Sequence, residues 1–151
     1  MEPVIQSLND YTDKATKQTL QLLVDKKRKF EKFKKRELMW RSATLLSVGL
    51  FIVYIYYFVI SGVSSYSIAF SYFFDREIHF YIVMFIGFQI GMVKYLLYKK
   101  DKAEKEYQDL RKETVKRSDD YWKQKEEWKS RHEVFEMMKK EFDINLYHES
   151  K

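Results

Sequence analysis

One-third of this chain is charged, yet residues 42–74 contain no Asp, Glu, Lys or Arg. The first part of that run, "SATLLSVGLFIVYIYYFVISG" at residues 42–62, is 21 residues long. As a helix rising about 1.5 Å per residue, it covers the ~30 Å hydrocarbon thickness of a bilayer. Asp75, Arg76 and Glu77 interrupt the apolar character, and "IHFYIVMFIGFQIGMVKYLLY" at residues 78–98 restores it. This second run has His79 near one end and Lys94 near the other, and a lysine there can extend its ammonium to an interface. The alternative for residues 78–98 is a buried helix of a soluble protein, but the rest of the chain is too polar to bury it.

The charge is segregated around these runs. Residues 1–41 hold 11 Lys/Arg and 6 Asp/Glu, residues 99–151 hold 15 and 14, and residues 42–98 hold 2 and 2. The net +6 therefore lies almost wholly in the N-terminal arm. Nine Lys/Arg fall in residues 22–41 and eight in residues 99–118, against Arg76 alone in residues 63–77. The positive-inside rule then puts both termini in the cytoplasm of a multi-pass cell-membrane protein and the connector outside. A cleaved leader is not expected, because the first apolar run begins some forty residues in.

The triplet at residues 75–77 is read as the return of a membrane hairpin. "VSSYSIAFSYFF" before it is rich in Ser and aromatic residues, which suit headgroup depth. The competing reading is an intramembrane ion or proton site at Asp75, Glu77 and His79, but residues 42–62 supply no polar partner at that depth. Within the second span, Gly87 and Gly91 have GxxxG spacing, which lets another helix backbone approach, either within the hairpin or between two chains. Ala43 and Ser47 offer the same small-residue spacing in the first span. Gln89 points away from the glycine ridge, toward a different helix.

The arms carry helical patterns. Tyr107, Thr114, Tyr121, Trp128, Phe135 and Phe142 recur every seven residues. Ala103, Leu110, Arg117, Gln124, Arg131 and Met138 form the neighbouring column, apolar at its ends and polar in the middle. Such a repeat predicts a helix over residues 99–142, about 65 Å long, packed against another helix. The N-terminal arm repeats Val4, Leu8, Tyr11, Ala15, Leu22, Leu23, Phe30 and Phe33, with Pro3 suited to a first turn. The flanks contain no other Pro and no Gly. The economical arrangement is an antiparallel pairing of the two arms within one chain, and the alternative is a four-helix stalk in a homodimer. An aromatic helical face of this kind calls for a partner, so Tyr107, Leu110, Tyr121, Trp128, Phe135 and Phe142 are the candidate partner face.

"KKRKFEKFKKRE" at residues 26–37 is placed to set topology and to attract anionic lipid. Its candidate lipid-surface residues are Lys26, Lys27, Arg28, Lys29, Phe30, Lys32, Phe33, Lys34, Lys35 and Arg36. Each basic side chain near such a surface contributes about 1 kcal/mol. Nucleic acid is the least favoured partner, because membrane phosphates compete for the same residues. Catalytic signatures are missing: there is no HExxH, Gly-rich phosphate loop, GxSxG or His/Asp/Glu cluster at ligand spacing. No Cys is present, which removes disulfides, thiolate metal sites and thiol nucleophiles. Neither an enzyme nor a cofactor or metal is expected.

"KKRKFEKFKKRELMWRSATLLS" leading into the first span, and "YLLYKKDKAEKEY" leaving the second, give the whole chain a layout that resembles the YpbF-type short membrane proteins of bacilli. That resemblance implies a bacterial plasma membrane and supplies no catalytic residues. The expected fold is an all-α membrane protein, a two-helix transmembrane hairpin with long cytoplasmic helical arms forming an antiparallel coiled-coil-like stalk. Its segments are a basic arm (1–41), a first span (42–62), an extracytoplasmic connector (63–77), a second span (78–98), an amphipathic helix (99–144) and a polar tail (145–151). The expected function is a scaffold or adaptor whose arms bind a second copy or another protein. The alternatives are a small transport subunit lined by His79, Gln89 and Lys94, and a sensor reading envelope state through the connector.

Overall fold

The computed structural model describes residues 1–8, 12–63, 65–122 and 125–147, and the side chains of these except at 119 and 125–129. Among the described residues the chain is helical throughout, without strands. In chain order the helices are α1 (Pro3–Gln6), α2 (Lys14–Ile55), α3 (Tyr66–Asp75), α4 (Glu77–Lys116), α5 (Ser118–Tyr121) and α6 (Lys125–Phe142), with a π-helical turn at Tyr56–Ile60. Contacts divide the chain into two compact units, one of Met1–Lys32 with Asp101–Lys151 and one of Phe33–Lys100.

Local chemistry sets most boundaries. Asp13 accepts the Thr16 backbone N–H at 2.7 Å, which satisfies one of the open donors at the start of α2. α2 then continues past the polar–apolar boundary without a break, since no proline interrupts residues 14–55. After it, the Ser61 N–H bonds the Tyr56 carbonyl at 3.0 Å, one residue wider than an α-turn. Arg76 leaves the helical region (φ −106°, ψ 110°) between α3 and α4, so the charged triplet is a tight turn between two helices. Glu77 lies in the first turn of α4 and Lys116 in its last, each with the sign that the helix dipole favours.

In the unit of Met1–Lys32 and Asp101–Lys151, α1, the start of α2, the end of α4 and α6 surround one core. Ile5, Leu20, Leu23, Tyr107, Trp122 and Met138 are among its buried members. The expected single helix over residues 99–142 is corrected here. α4 ends at Lys116, and the backbone leaves the helix again at Trp122 (φ −132°, ψ 78°) before α6. No glycine or proline causes this interruption. It buries the Trp122 indole, edge-on to Phe135 at 5.7 Å, and brings Val134, Phe135 and Met138 onto the core that holds Tyr107. Burial of such side chains, worth about 1.5–3 kcal/mol each, outweighs continuing the helix into water.

The expected polar tail is also corrected. Asp143 adopts φ 54°, and the Ile144 N–H returns to the Met138 carbonyl at 3.0 Å. The chain then runs extended, so that Ile144 and Leu146 both enter the core. Arg111 donates to the Asn145 carbonyl at 2.9 Å between them. Leu146→Ala is therefore expected to destabilise the full chain by about 2–5 kcal/mol despite its place near the C-terminus. Denaturant unfolding in micelles followed by circular dichroism measures this, and an unchanged midpoint would contradict the placement.

In the unit of Phe33–Lys100, α2 and α4 run antiparallel. Trp40 meets Phe88, Ser47 meets Gln89, and Tyr54 meets His79. Their facing positions include buried Glu37 on α2 and His79, Gln89 and Leu96 on α4. Within this unit Ile82, Gln89 and Leu96 recur every seven residues along α4, half-buried or buried. Both α2 and α4 are long and apolar enough to cross a membrane, and only 6% and 11% of their most apolar windows are buried within the protein.

Candidate functional site

The basic run does two different things. Lys27 is buried, and its ammonium donates to the Phe142 carbonyl at 2.8 Å and to the Asp143 carboxylate at 2.9 Å. It thereby satisfies carbonyls left open at the end of α6. Lys26 pairs with Glu106 at 2.6 Å and Lys29 with the same carboxylate at 3.5 Å, while Arg28 pairs with Glu2 at 2.6 Å. Phe30 stacks on Tyr107 with 6.4 Å between centroids. Residues 26–30 thus join α2 to the helices around it. Lys27 is the plainest departure from a lipid-surface role, because burial and three acceptors hold its charge inward.

The second half of the run is different. Lys32, Lys34, Lys35 and Arg36 are exposed, and Phe33 is half-buried. Within the unit of Phe33–Lys100, exposed Leu38 and Met39 follow them on α2, and Lys94, Tyr95 and Tyr98 are exposed on α4. The Lys99 ammonium lies 5.5 Å from the Tyr95 ring centre. Cations and aromatic rings at one end of an apolar segment have the composition of a headgroup belt.

The ion pairs shift the carboxylates. The hydrogen bond from Lys26 holds Glu106 below the usual carboxylate range, and Lys29 adds to it. Arg28 does the same to Glu2, and Lys27 to Asp143. Burial raises the Tyr107 phenol. A depressed carboxylate contributes stability above its unfolded value, and that contribution disappears as pH falls through the folded value. Asp143→Asn keeps a residue suited to positive φ and removes the charge. It is expected to lessen the loss of stability on acidification, measured as the midpoint of thermal unfolding against pH. An identical pH profile would mean that the Lys27 pair contributes nothing.

The aromatic column of the C-terminal arm serves the chain's own core. Tyr107 and Phe135 are buried, and Leu110, Tyr121 and Phe142 pack partly buried against them. The Trp128 side chain and the whole of Gln124 lie outside the described residues. The column marked an inward face, and sequence periodicity alone does not say whether such a face meets the same chain or another.

Between the apolar helices the structure brings together His79, Tyr54 and Phe73. His79 Nδ1 lies 2.6 Å from the Phe73 carbonyl, which only accepts, so Nδ1 carries the proton. Nε2 lies 3.2 Å from the Tyr54 hydroxyl, and in the tautomer protonated only at Nδ1 it accepts from that hydroxyl. The imidazole also stacks on Phe73, 4.8 Å between centroids and 9° between planes. Both ring nitrogens are engaged by groups other than Asp75 and Glu77, which are exposed. Tyr54 thus supplies a polar partner for His79 from within residues 42–62, where none is expected from the sequence. Gln89 donates to the Ser47 hydroxyl at 3.2 Å, in the direction opposite the glycines. At Gly87 and Gly91 an added Cβ would meet nothing within 4 Å, so among the described residues no side chain or other segment packs on the GxxxG face. Among the described residues no three His, Cys, Asp or Glu side chains come together as a metal site.

An interhelical hydrogen bond in an apolar setting is worth about 1–2 kcal/mol at most. Tyr54→Phe is expected to lower the stability of the helix pair by about 1 kcal/mol without loss of helicity. Unfolding by a denaturing detergent, followed by circular dichroism, would show it. A larger loss with lower helicity would mean that the phenol supports the backbone as well.

Comparisons with known proteins agree along the length of the chain. Residues 19–149 match a family described as "Protein of unknown function (DUF2663)". The chain is 36% identical over 151 residues to a Bacillus subtilis (strain 168) protein called "Uncharacterized protein YpbF", covering all of both chains. No solved structure matches.

Proposed function

The chain belongs to the DUF2663 family, and we propose that it is an integral membrane protein whose helices α2 and α4 span the bilayer. In this reading both termini are cytoplasmic and the helical unit of Met1–Lys32 and Asp101–Lys151 is an adaptor. The observation that carries it is the uncovered apolar surface: almost none of either apolar window is buried within the protein. Water does not tolerate such a surface over two apolar windows of this length, whereas hydrocarbon does. The cation–aromatic belt supports the orientation.

The adaptor unit has its own core, and Tyr107, Tyr121, Phe135 and Phe142 of its aromatic column pack there. A partner therefore meets its polar, charged exterior, and binding is expected to weaken with salt. A transport role through His79, Gln89 and Lys94 has less support. His79 and Gln89 are paired across the α2–α4 seam, and Lys94 is exposed.

The chain has no Cys, so single cysteines report topology directly. Gly62→Cys is expected to react with an impermeant maleimide in intact cells, and exposed Leu22→Cys only after permeabilisation. Reaction of Leu22→Cys alone would invert the topology, and equal reaction of both in intact cells would remove it. For the adaptor role, a photo-crosslinking residue at Leu22 in living cells is expected to capture one foreign protein reproducibly. Capture of this same chain alone would replace the adaptor by self-association, and no capture would return weight to transport.

A further inference from the structure

α3 is an apolar helix in the wrong place for a simple connector. Its ten residues reach about 15 Å, too short to cross a bilayer. At about 100° per residue its side chains fall into four rows. Ala69 and Phe73 form the row facing the rest of the unit. Ala69 is buried, and Phe73 is half-buried against the His79 ring and 6.5 Å from the Phe51 ring. The hydrogen bond from His79 to the Phe73 carbonyl fastens the end of α3 at that face. The opposite row is Ser67, Ser71 and Asp75, all exposed.

The two remaining rows are apolar or aromatic and uncovered. One is Tyr66, Phe70 and Phe74, exposed by 90%, 68% and 68%, and the other is Ile68 and Tyr72. The serine row lies between the two flanks and opposite the row that faces the protein, so its hydroxyls and the flanking rings are both satisfied where water and lipid meet. The flanks continue the exposed apolar surface of Tyr57 and Phe58 before α3 and of Ile78 and Phe80 after it. The cleft where α3 meets α4, about 590 Å³, is walled largely by Phe73, Phe74, Phe80, Tyr81 and Val83. α3 contains no Lys or Arg, and its one charge is its last residue, Asp75. The chemistry therefore fits the zone between headgroups and acyl chains, where tyrosine and phenylalanine rings accumulate.

We propose that α3 is a third membrane-contacting element, lying in the boundary between headgroups and acyl chains with both apolar flanks in lipid and its serine row toward water. His79 is its fastener. The proposal rests on the membrane reading of α2 and α4 and extends it to a segment that does not span.

Power-saturation EPR on the full-length protein tests it, with a single nitroxide at Ile68→Cys, Phe70→Cys, Phe74→Cys or Ser71→Cys. The vesicles are phosphatidylethanolamine with phosphatidylglycerol, and Leu50→Cys and Met84→Cys report the spans. All six side chains are exposed, so a label displaces no core residue. The oxygen-to-nickel-chelate accessibility ratio is expected to be higher at positions 68, 70 and 74 than at 71, and higher still at 50 and 84. If the nickel chelate dominates at all four α3 positions while 50 and 84 stay in hydrocarbon, the proposal falls and the spans stand. If both reagents are excluded at 68, 70 and 74, protein covers the flanks, as in a dimer, and the proposal also falls. If the chelate reaches 50 and 84, the membrane reading itself has failed.

Discussion

Backbone amides surrounded on every side by apolar side chains have one local way to satisfy their hydrogen bonds, which is to pair with each other in a helix. That constraint acts on residues 42–62 and 78–98 and dominates the unit of Phe33–Lys100. Packing α2 against α4 covers only a narrow strip, and the remaining apolar surface stays open. His79 has partners for both nitrogens, and the Gln89 amide N–H reaches Ser47 across the seam while its Oε1 is buried without a partner among the described residues. Each pair joins two different segments of chain, so satisfying the polar group also sets the register of the helices.

The other unit solves a different problem. Its helices are so heavily charged that few apolar side chains are available, and it gathers nearly all of them into one core. The break after α4, the left-handed Asp143 and the extended residues beyond it are all used to bring Trp122, Ile144 and Leu146 inside. Lys27 shows how charge and core cooperate. Its side chain is buried while its ammonium closes the open end of α6. Basic residues next to an apolar segment are usually read only as topology signals, and here the first few of them hold a small domain together.

Periodicity and charge made much of this legible. The helical class, the two apolar segments, the turn at residues 75–77 and the inward columns through Tyr107 and Leu110 follow from spacing that any local conformation must obey. Other features were less visible for identifiable reasons. Trp122 lies off both columns, and an off-column tryptophan in a strongly helical segment is the signal of a break that periodicity averages away. Ile144 and Leu146 alternate around Asn145 in the manner of an extended strand, an alternation too short to stand out, so Ile144 reads as the end of the amphipathic helix and Leu146 as tail. The Ser- and aromatic-rich stretch before the turn was legible as suited to headgroup depth, but its helical form shows only when rows four residues apart are followed.

The amino-acid sequence by itself determined the helical class and the two stretches that carry uncovered apolar surface, because hydrogen bonding and side-chain polarity act residue by residue. Only the tertiary structure decided where each inward face is spent. Tyr107 meets Phe30 and the core that holds Phe135, Lys27 meets the end of α6, and Gly87 and Gly91 meet no other segment among the described residues. Those outcomes depend on contacts between residues tens of positions apart. They follow from the balance of burial gained against helix interrupted, a sum over the whole chain that no local pattern contains.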